Sequence, residues 1–165
     1  MNHQPDVLAK AGIIGALYIL LTLLSAAVGL SSGAIQLRLS EALCVLPLFT
    51  KAAVPGLTAG CFLADLLIGS DPLDILFGTA ATFLGALGTQ FFRANRFPAL
   101  LCPVISNALI LPFVLTKAYG IQKALPYLMI TIGAGEALSV FLFGELLYRT
   151  VSKPGSILRK VLQDS

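Results

Sequence analysis

Six apolar runs follow one another along the chain with only short polar breaks, and this pattern constrains the fold more than any motif does. The runs cover residues 7–30, 42–49, 52–68, 73–92, 97–116 and 125–148. Several approach the ~20 residues that cross the hydrocarbon core of a bilayer. Only 12% of the 165 residues are charged, against about 25% in a soluble domain, and charge is costly inside a membrane. The sequence therefore predicts an all-α integral membrane protein.

The second run, at 42–49, is too short to cross a membrane by itself. Either residues 42–68 form one kinked helix, which gives five spans, or residues 50–55 form a turn, which gives six. With six spans and both termini inside, three basic residues lie outside: Arg38, Lys117 and Lys123. The other eight then lie inside: Lys10, Lys51, Arg93, Arg96, Arg149, Lys153, Arg159 and Lys160.

This distribution of basic residues favours six spans, because cytoplasmic loops carry an excess of lysine and arginine. Five spans would place Arg93, Arg96 and the basic C-terminus outside and leave Lys51 in the membrane. Pro55 agrees with six, as a proline in the first turn of a new helix. We expect a single transmembrane domain over residues 1–165, with helices at about 7–30, 40–50, 55–69, 72–92, 97–117 and 125–149.

The second span remains unusual because about 11 α-helical residues rise only ~16 Å. The preceding segment, 31–39, must then reach inward, or the helix must lie deep within the bundle. Non-helical backbone at membrane depth is tolerated where protein buries it or where it lines a cavity. We therefore expect the first loop to carry four polar residues into a cavity: Gln36, Arg38, Ser40 and Glu41.

The first run could be read as a secretory signal peptide, since Lys10 precedes it and Ser25–Ala27 resembles a cleavage site. A transmembrane helix is the favoured interpretation, because the rest of the chain is equally apolar.

Small residues lie four apart in this run, at Gly12 and Ala16 and again at Ala11 and Gly15. Such spacing lets helices approach closely, so the first helix is a candidate docking face for another membrane protein.

Three polar residues lie well inside the predicted spans: Asp65, Asn107 and Glu136. Intramembrane polar and ionisable residues usually face a bundle interior or a ligand path. Structural alternatives remain open: an interhelical hydrogen bond for Asn107, a paired or neutral state for Asp65, and a packing role for Glu136. Asp71 and Asp74 flank Pro72, and the simplest role for both is to cap a helix start.

Several functional classes lack support in the sequence. The single histidine lies in the N-terminal tail and the three cysteines have no metal-like spacing. There is no phosphate-binding GxxxxGK loop, no nucleophile elbow and no HExxH motif. No basic run is interleaved with aromatic residues, as nucleic-acid binding would require. We expect no enzyme, no cofactor and no metal site.

The stretch GAIQLRLSEALCVLPLFTKAAVPGLTAGCFLADLLIG, followed by DILFGTAATFLGAL, resembles the queuosine precursor transporter (QueT) family. Members are the substrate-binding S components of energy-coupling factor (ECF) transporters, and the resemblance covers residues from about 12 to 144. It implies a six-transmembrane-helix bundle that binds its substrate from outside. It also implies a small-residue motif in the first helix, onto which Gly12 and Ala16 map, although alanine is commoner in the first position. The family commonly has asparagine in the third helix where this chain has Asp65.

The resemblance implies uptake of 7-deazaguanines, in the aminomethyl or cyano form or as queuine, across a bacterial cell membrane. It also implies partners, a transmembrane scaffold protein and two ATPase subunits, with both termini in the cytoplasm. A guanine-like edge offers two N–H donors to a carboxylate and an oxo acceptor to a donor side chain. The expected substrate-binding residues are Gln36, Arg38, Glu41, Asp65, Asn107 and Glu136. Another vitamin-like cargo, an ion-coupled carrier and a membrane enzyme are the alternatives.

Overall fold

The computed structural model describes residues 4–29, 37–153 and 155–162, and all secondary structure within these ranges is helical, as predicted. In chain order the elements are α1 (Gln4–Ala27), a 3₁₀ helix (Leu39–Leu48), α2 (Ala53–Ile68), α3 (Pro72–Phe91), α4 (Arg96–Ala118), α5 (Leu125–Leu138), a π-helical turn (Ser139–Phe143), α6 (Gly144–Ser152) and α7 (Ile157–Leu162). The π turn joins α5 to α6 without a break, so these elements form one 28-residue rod, Leu125–Ser152.

Four helical segments are long and apolar enough to cross a membrane. They are Asp6–Ala27, Pro72–Phe91, Arg96–Ala118 and Leu125–Ser152. Two further apolar helices are shorter, the 3₁₀ helix and α2, with 10 and 16 residues. At 1.5 Å per residue, α2 spans about 24 Å.

The six apolar segments run in alternating directions. The C-terminal parts of α1, α2 and α4 meet the residues at the start of the 3₁₀ helix, of α3 and of α5 around one cavity. At the opposite end of the bundle, Arg96 Nη2 lies 2.7 Å from Glu145 Oε2, and Glu145 also pairs with Arg149. The guanidinium of Arg96 lies 4.5 Å from the ring centre of Tyr148. One end of the bundle therefore carries a cavity and the other a network of ion pairs.

The 3₁₀ helix forms the centre of the bundle. Every residue from Ser40 to Pro47 is buried, and the helix contacts α1, α2, α3, α4, the π turn and α6. The sequence predicts a short helix at about 40–50, too short to cross as a regular α-helix, and the structure has a helix of 3₁₀ type at Leu39–Leu48. A 3₁₀ helix rises about 2.0 Å per residue, so ten residues reach about 20 Å instead of about 15 Å. The stretched conformation lets a short segment run further through the bundle.

Glycines allow α1 and α2 to pack with their backbones almost in contact. A Cβ on Gly60 would lie 2.9 Å from the carbonyl oxygen of Gly15, and one on Gly56 would lie 2.7 Å from that of Ala11. Gly12 lies on another face of α1, where an added Cβ would meet no atom within 4 Å. The two small-residue pairs of the first helix therefore differ, since Ala11 and Gly15 pack internally while Gly12 and Ala16 are exposed.

Helices α3 and α4 pack around a proline. Pro103 has no N–H to donate to the carbonyl of Ala99 one turn earlier. The hydroxyl of Thr89 on α3 donates to that carbonyl at 3.1 Å. Gly85 makes room for the proline, because a Cβ there would lie 2.7 Å from Pro103 Cα. The backbone group freed by the proline is thus satisfied by the neighbouring helix, as a membrane interior requires.

Replacing Gly60 with alanine tests the α1–α2 packing. The new methyl group would overlap the backbone of Gly15 and the side chain of Tyr18, and overpacking typically costs about 1–3 kcal/mol. We expect thermal unfolding in detergent at a clearly lower temperature for Gly60→Ala. Gly12→Ala is the matched control, since its Cβ enters open space, and it should unfold no earlier than the wild type. Equal losses in both variants would contradict the packing described here.

Candidate functional site

A cavity of about 350 Å³ opens at the end of the bundle where α1, α2 and α4 finish. Its size is at the lower end of the range for small-ligand pockets. The lining residues are Thr22, Ser25, Ala26, Arg38, Asp65, Ile68, Ser70, Asp74, Leu115, Tyr119 and Ile121. Charged, hydroxyl and apolar side chains all contribute, so the cavity suits a compact ligand with both polar and apolar parts.

Three charged side chains line this cavity: Arg38, Asp65 and Asp74. Arg38 directly precedes the 3₁₀ helix. Among the carboxylates, Asp65 has the largest electrostatic effect on the Arg38 guanidinium. Asp65 is only 5% exposed. Within the described ranges, the hydrogen bond that its carboxylate accepts comes from the Cys61 thiol, at 3.6 Å. The sequence-predicted residues Arg38 and Asp65 are therefore brought together on one cavity wall.

Asp74 has a different role from the helix cap predicted for it. Asp71 is the cap, since its Oδ1 accepts the backbone N–H of Leu73 at 2.9 Å. Asp74 points into the bundle and is only 6% exposed, and its Oδ2 accepts the hydroxyl of Tyr119 at 2.9 Å. The same hydroxyl accepts the N–H of Asp71 at 3.2 Å. Tyr119, just after α4, thereby joins the start of α3 to the cavity wall.

Ser25 on α1 fixes the segment that carries Arg38. Its hydroxyl accepts the backbone N–H of Leu39 at 3.1 Å and donates to the carbonyl of Leu21 at 2.8 Å. The chain is therefore attached to α1 one residue after Arg38. Gln36, which the sequence predicts as a substrate contact, lies outside the described residues.

A second polar cluster lies among the buried residues of the bundle and comprises Tyr18, Glu41, Cys44, Asn107 and Glu136. Tyr18 donates its hydroxyl to Glu41 Oε1, and the Cys44 thiol donates to Glu41 Oε2 at 3.0 Å. Asn107 Nδ2 donates to Glu136 Oε1 at 2.9 Å. The carboxyl groups of Glu41 and Glu136 lie close enough to interact electrostatically. We call this group the inner cluster; its hydrogen bonds join α1 to the 3₁₀ helix and α4 to α5.

The six predicted site residues therefore separate into two groups and one undescribed residue. Arg38 and Asp65 line the cavity, whereas Glu41, Asn107 and Glu136 belong to the inner cluster and are not among the lining residues. Both Asp65 and Glu136 lie within electrostatic range of Arg38, so the inner cluster is electrostatically linked to the cavity. The Asn107–Glu136 bond corresponds to the interhelical hydrogen bond that the sequence left open for Asn107.

Sequence reasoning missed three residues that the structure brings to the two groups: Tyr18, Asp74 and Tyr119. A tyrosine in an apolar helix carries no signal of its partner. The role of Asp74 was obscured by its position in the first turn of a helix, where an acidic residue is readily explained by capping. Ser40, which the sequence places in the same inward segment, has a buried hydroxyl without a hydrogen-bond partner in the described part of the chain.

Comparison with known proteins gives one positive result. A family model described as QueT transporter matches residues 8–153, which is most of the chain. No curated protein matches, and no solved structure matches.

Replacing Tyr18 with phenylalanine tests the inner cluster. The change removes a hydroxyl that donates to the fully buried Glu41, and an unsatisfied buried acceptor typically costs about 1–3 kcal/mol. We expect Tyr18→Phe to unfold at a lower denaturant concentration than the wild type. Tyr127→Phe serves as the control, because Tyr127 is 45% exposed. Unchanged unfolding of Tyr18→Phe would show that the cluster does not depend on this hydroxyl.

Proposed function

The chain belongs to the QueT transporter family, and we propose that it is the substrate-binding S component of an ECF transporter that imports queuosine precursors. Membership in a transporter family, together with four helices long and apolar enough to span a bilayer, makes it a membrane protein with a role in transport. The proposed substrate is a 7-deazaguanine, and the proposed activity is binding without chemical conversion. The observation that carries the proposal is the cavity at the bundle end, where Arg38 and Asp65 lie on one wall.

The cavity chemistry suits a flat heterocycle with a guanine-like edge. Such an edge presents adjacent N–H donors for a carboxylate acceptor. It also presents an oxo group that accepts from a guanidinium, as offered by Arg38. Apolar side chains of Ile68 and Leu115 face the same space and would pack against the ring. Charge-assisted hydrogen bonds in a small, largely apolar cavity give strong orientation to such a ligand.

The inner cluster has a supporting role in this proposal. Glu41, Asn107 and Glu136 interact across three elements, within electrostatic range of the guanidinium of Arg38. They fix the 3₁₀ helix, and with it the position of the cavity wall. Gln36 precedes Arg38 by two residues, and we retain it as a proposed substrate contact from the first loop.

We propose that all six apolar segments cross the membrane, with both termini on the cytoplasmic side of a bacterial cell membrane. The alternating directions of the segments support this arrangement, since the cavity end then faces outward. Arg93, Arg96 and Arg149 fall at the opposite end, in agreement with the excess of basic residues expected on the cytoplasmic side. The short 3₁₀ helix is surrounded by other elements of the bundle, which lowers its need to match the bilayer thickness.

The partners in this proposal are an ECF transmembrane scaffold protein and two ATPase subunits. The exposed face of α1 with Gly12 and Ala16 supports a docking role, because small side chains let another helix approach closely. Its internal counterpart, with Ala11 and Gly15, is already occupied by α2. The helix therefore has one small-residue face for its own bundle and one that remains available.

An ion-coupled carrier is the second candidate, and the Glu41–Glu136 pair favours it. Two buried carboxyl groups that interact electrostatically can share a proton between them, as paired carboxyl groups do elsewhere. Uptake by the purified chain alone in vesicles, driven by a proton gradient, would establish this function. Uptake that requires the scaffold, the ATPases and ATP would exclude it.

Calorimetry on the purified chain tests the proposed cavity. The wild type should bind a 7-deazaguanine without ATP and release it unchanged. Arg38→Gln should bind about ten- to a hundredfold more weakly, because a hydrogen bond to a charged donor is lost in a buried site. Arg93→Gln, at the other end of the bundle, is the control and should bind normally. Equal affinities of the wild type and Arg38→Gln for every deazaguanine would place the site elsewhere.

Replacing Gly12 or Ala16 with leucine tests the docking face. The bulky side chain should prevent close helix approach and abolish ATP-driven uptake by the assembled transporter. Binding by the isolated chain should be unchanged, since both positions are exposed. Ala134→Leu, at an exposed position of α5, should retain uptake. Simultaneous loss of binding and uptake in the α1 variants would mean that these positions shape the fold or pocket.

A further inference from the structure

The cavity holds more negative than positive charge among its described lining residues. Asp65 and Asp74 are both nine-tenths or more buried, at 5% and 6% exposure. Arg38 is the basic residue among those lining residues, and its charge lies within electrostatic range of both carboxylates. With all three groups ionised, one negative charge remains without a matching cation. A buried carboxylate is stable when a charge or hydrogen bonds compensate it, so the cavity is incomplete without a positive group.

The Asp65 and Asp74 carboxylates, which both line the cavity, each approach Gly78 of α3. A Cβ on Gly78 would lie 3.4 Å from Asp65 Oδ2 and 3.6 Å from Asp74 Oδ1. Any larger residue would place a methyl group between the two carboxylates. The absence of a side chain at Gly78 therefore keeps open a space that two carboxylate oxygens border.

The hydrogen bonds of the two carboxylates leave acceptor capacity directed at this space. Tyr119 donates to Asp74 Oδ2, which fixes the side chain while Oδ1 lies on the Gly78 side. Asp65, apart from the long thiol contact with Cys61, has no other hydrogen bond from the described residues. A nearly buried carboxylate on a cavity wall with one weak partner is an acceptor for which the ligand supplies the donors.

We propose that Asp74 is a specificity-determining residue and that Asp74 and Asp65 form a subsite beside Gly78 for a primary ammonium group on the substrate. This deepens the proposed function and rests on it, because the same cavity binds the heterocycle. An ammonium group has three N–H donors and a compact charge, so it can bond to both carboxylates at once. Its charge neutralises the excess left by Arg38. The aminomethyl form of a 7-deazaguanine carries such a group, whereas the cyano form does not.

Calorimetry with these two ligands on the purified full-length chain tests the subsite, since they differ only in the group that the subsite would hold. The wild type should bind the aminomethyl form at least about tenfold more tightly. Asp74→Asn should weaken binding of the aminomethyl form about ten- to a hundredfold. Its affinity for the cyano form should be nearly unchanged, so the preference between the two ligands is lost.

Asp71→Asn is the matched control. It removes the same charge three residues away, and asparagine caps a helix as well as aspartate, so both affinities should remain as in the wild type. Gly78→Ala is a second variant that keeps every charge and fills the space between the carboxylates with a methyl group. It should weaken the aminomethyl form selectively, which covers the case in which Asp74→Asn does not fold.

The outcomes distinguish the subsite from the proposed function. If the wild type binds neither ligand, the proposed function fails, and the subsite fails with it. If the wild type binds a deazaguanine but shows no preference, or if Asp74→Asn weakens both ligands equally, the subsite alone is wrong. Competition of sodium with the aminomethyl form, measured against choline at the same ionic strength, would assign the space to an inorganic cation and would also overturn the proposal.

Discussion

The arrangement of the bundle depends on one buried segment, the 3₁₀ helix Leu39–Leu48. It brings Glu41 into the fully buried interior, where a carboxyl group must be hydrogen-bonded. Tyr18 and Cys44 meet that requirement: the first bond ties the segment to α1, and the second lies within the segment. Because Arg38 directly precedes this helix, the bonds that hold the helix also determine where the cavity wall lies. The buried hydrogen bonds thus hold the 3₁₀ helix in place and also position the cavity residue Arg38.

Close backbone packing determines which faces of the helices remain free. Gly15, Gly56 and Gly60 bring α1 and α2 together, so that α1 is attached along one face and exposed along the other. The exposed face carries Gly12 and Ala16, the residues proposed for docking. Helix α1 also carries Tyr18 toward the inner cluster and Ser25 toward the Arg38 segment. A partner that docks on α1 would therefore contact the helix that bonds to the inner cluster through Tyr18 and to the segment carrying Arg38 through Ser25.

The proposed import function rests on a cavity lined by side chains of opposite charge. The proposed ammonium subsite rests on the excess of negative over positive charge among these side chains. These two parts of the cavity have different physical origins. Arg38 can recognise the oxo group of a heterocycle through hydrogen bonds, whereas Asp65 and Asp74 beside Gly78 select by charge. The separation suggests that affinity for the ring and preference among its substituted forms are set by different residues.

The sequence by itself determined the helical class, the six apolar segments and the cap at Asp71, because hydrophobic length and local capping are encoded by neighbours in the chain. It also identified Arg38 and Asp65, since charged residues in apolar runs are conspicuous. The tertiary structure decided the rest. It turned the second segment into a 3₁₀ helix, separated Glu41, Asn107 and Glu136 from the cavity, and brought in Asp74, Tyr18 and Tyr119. Those outcomes depend on which helix faces meet and on the hydrogen-bond partners of buried groups. Such partners lie up to 48 residues apart, as in the Asp71–Tyr119 bond, and no local pattern specifies them.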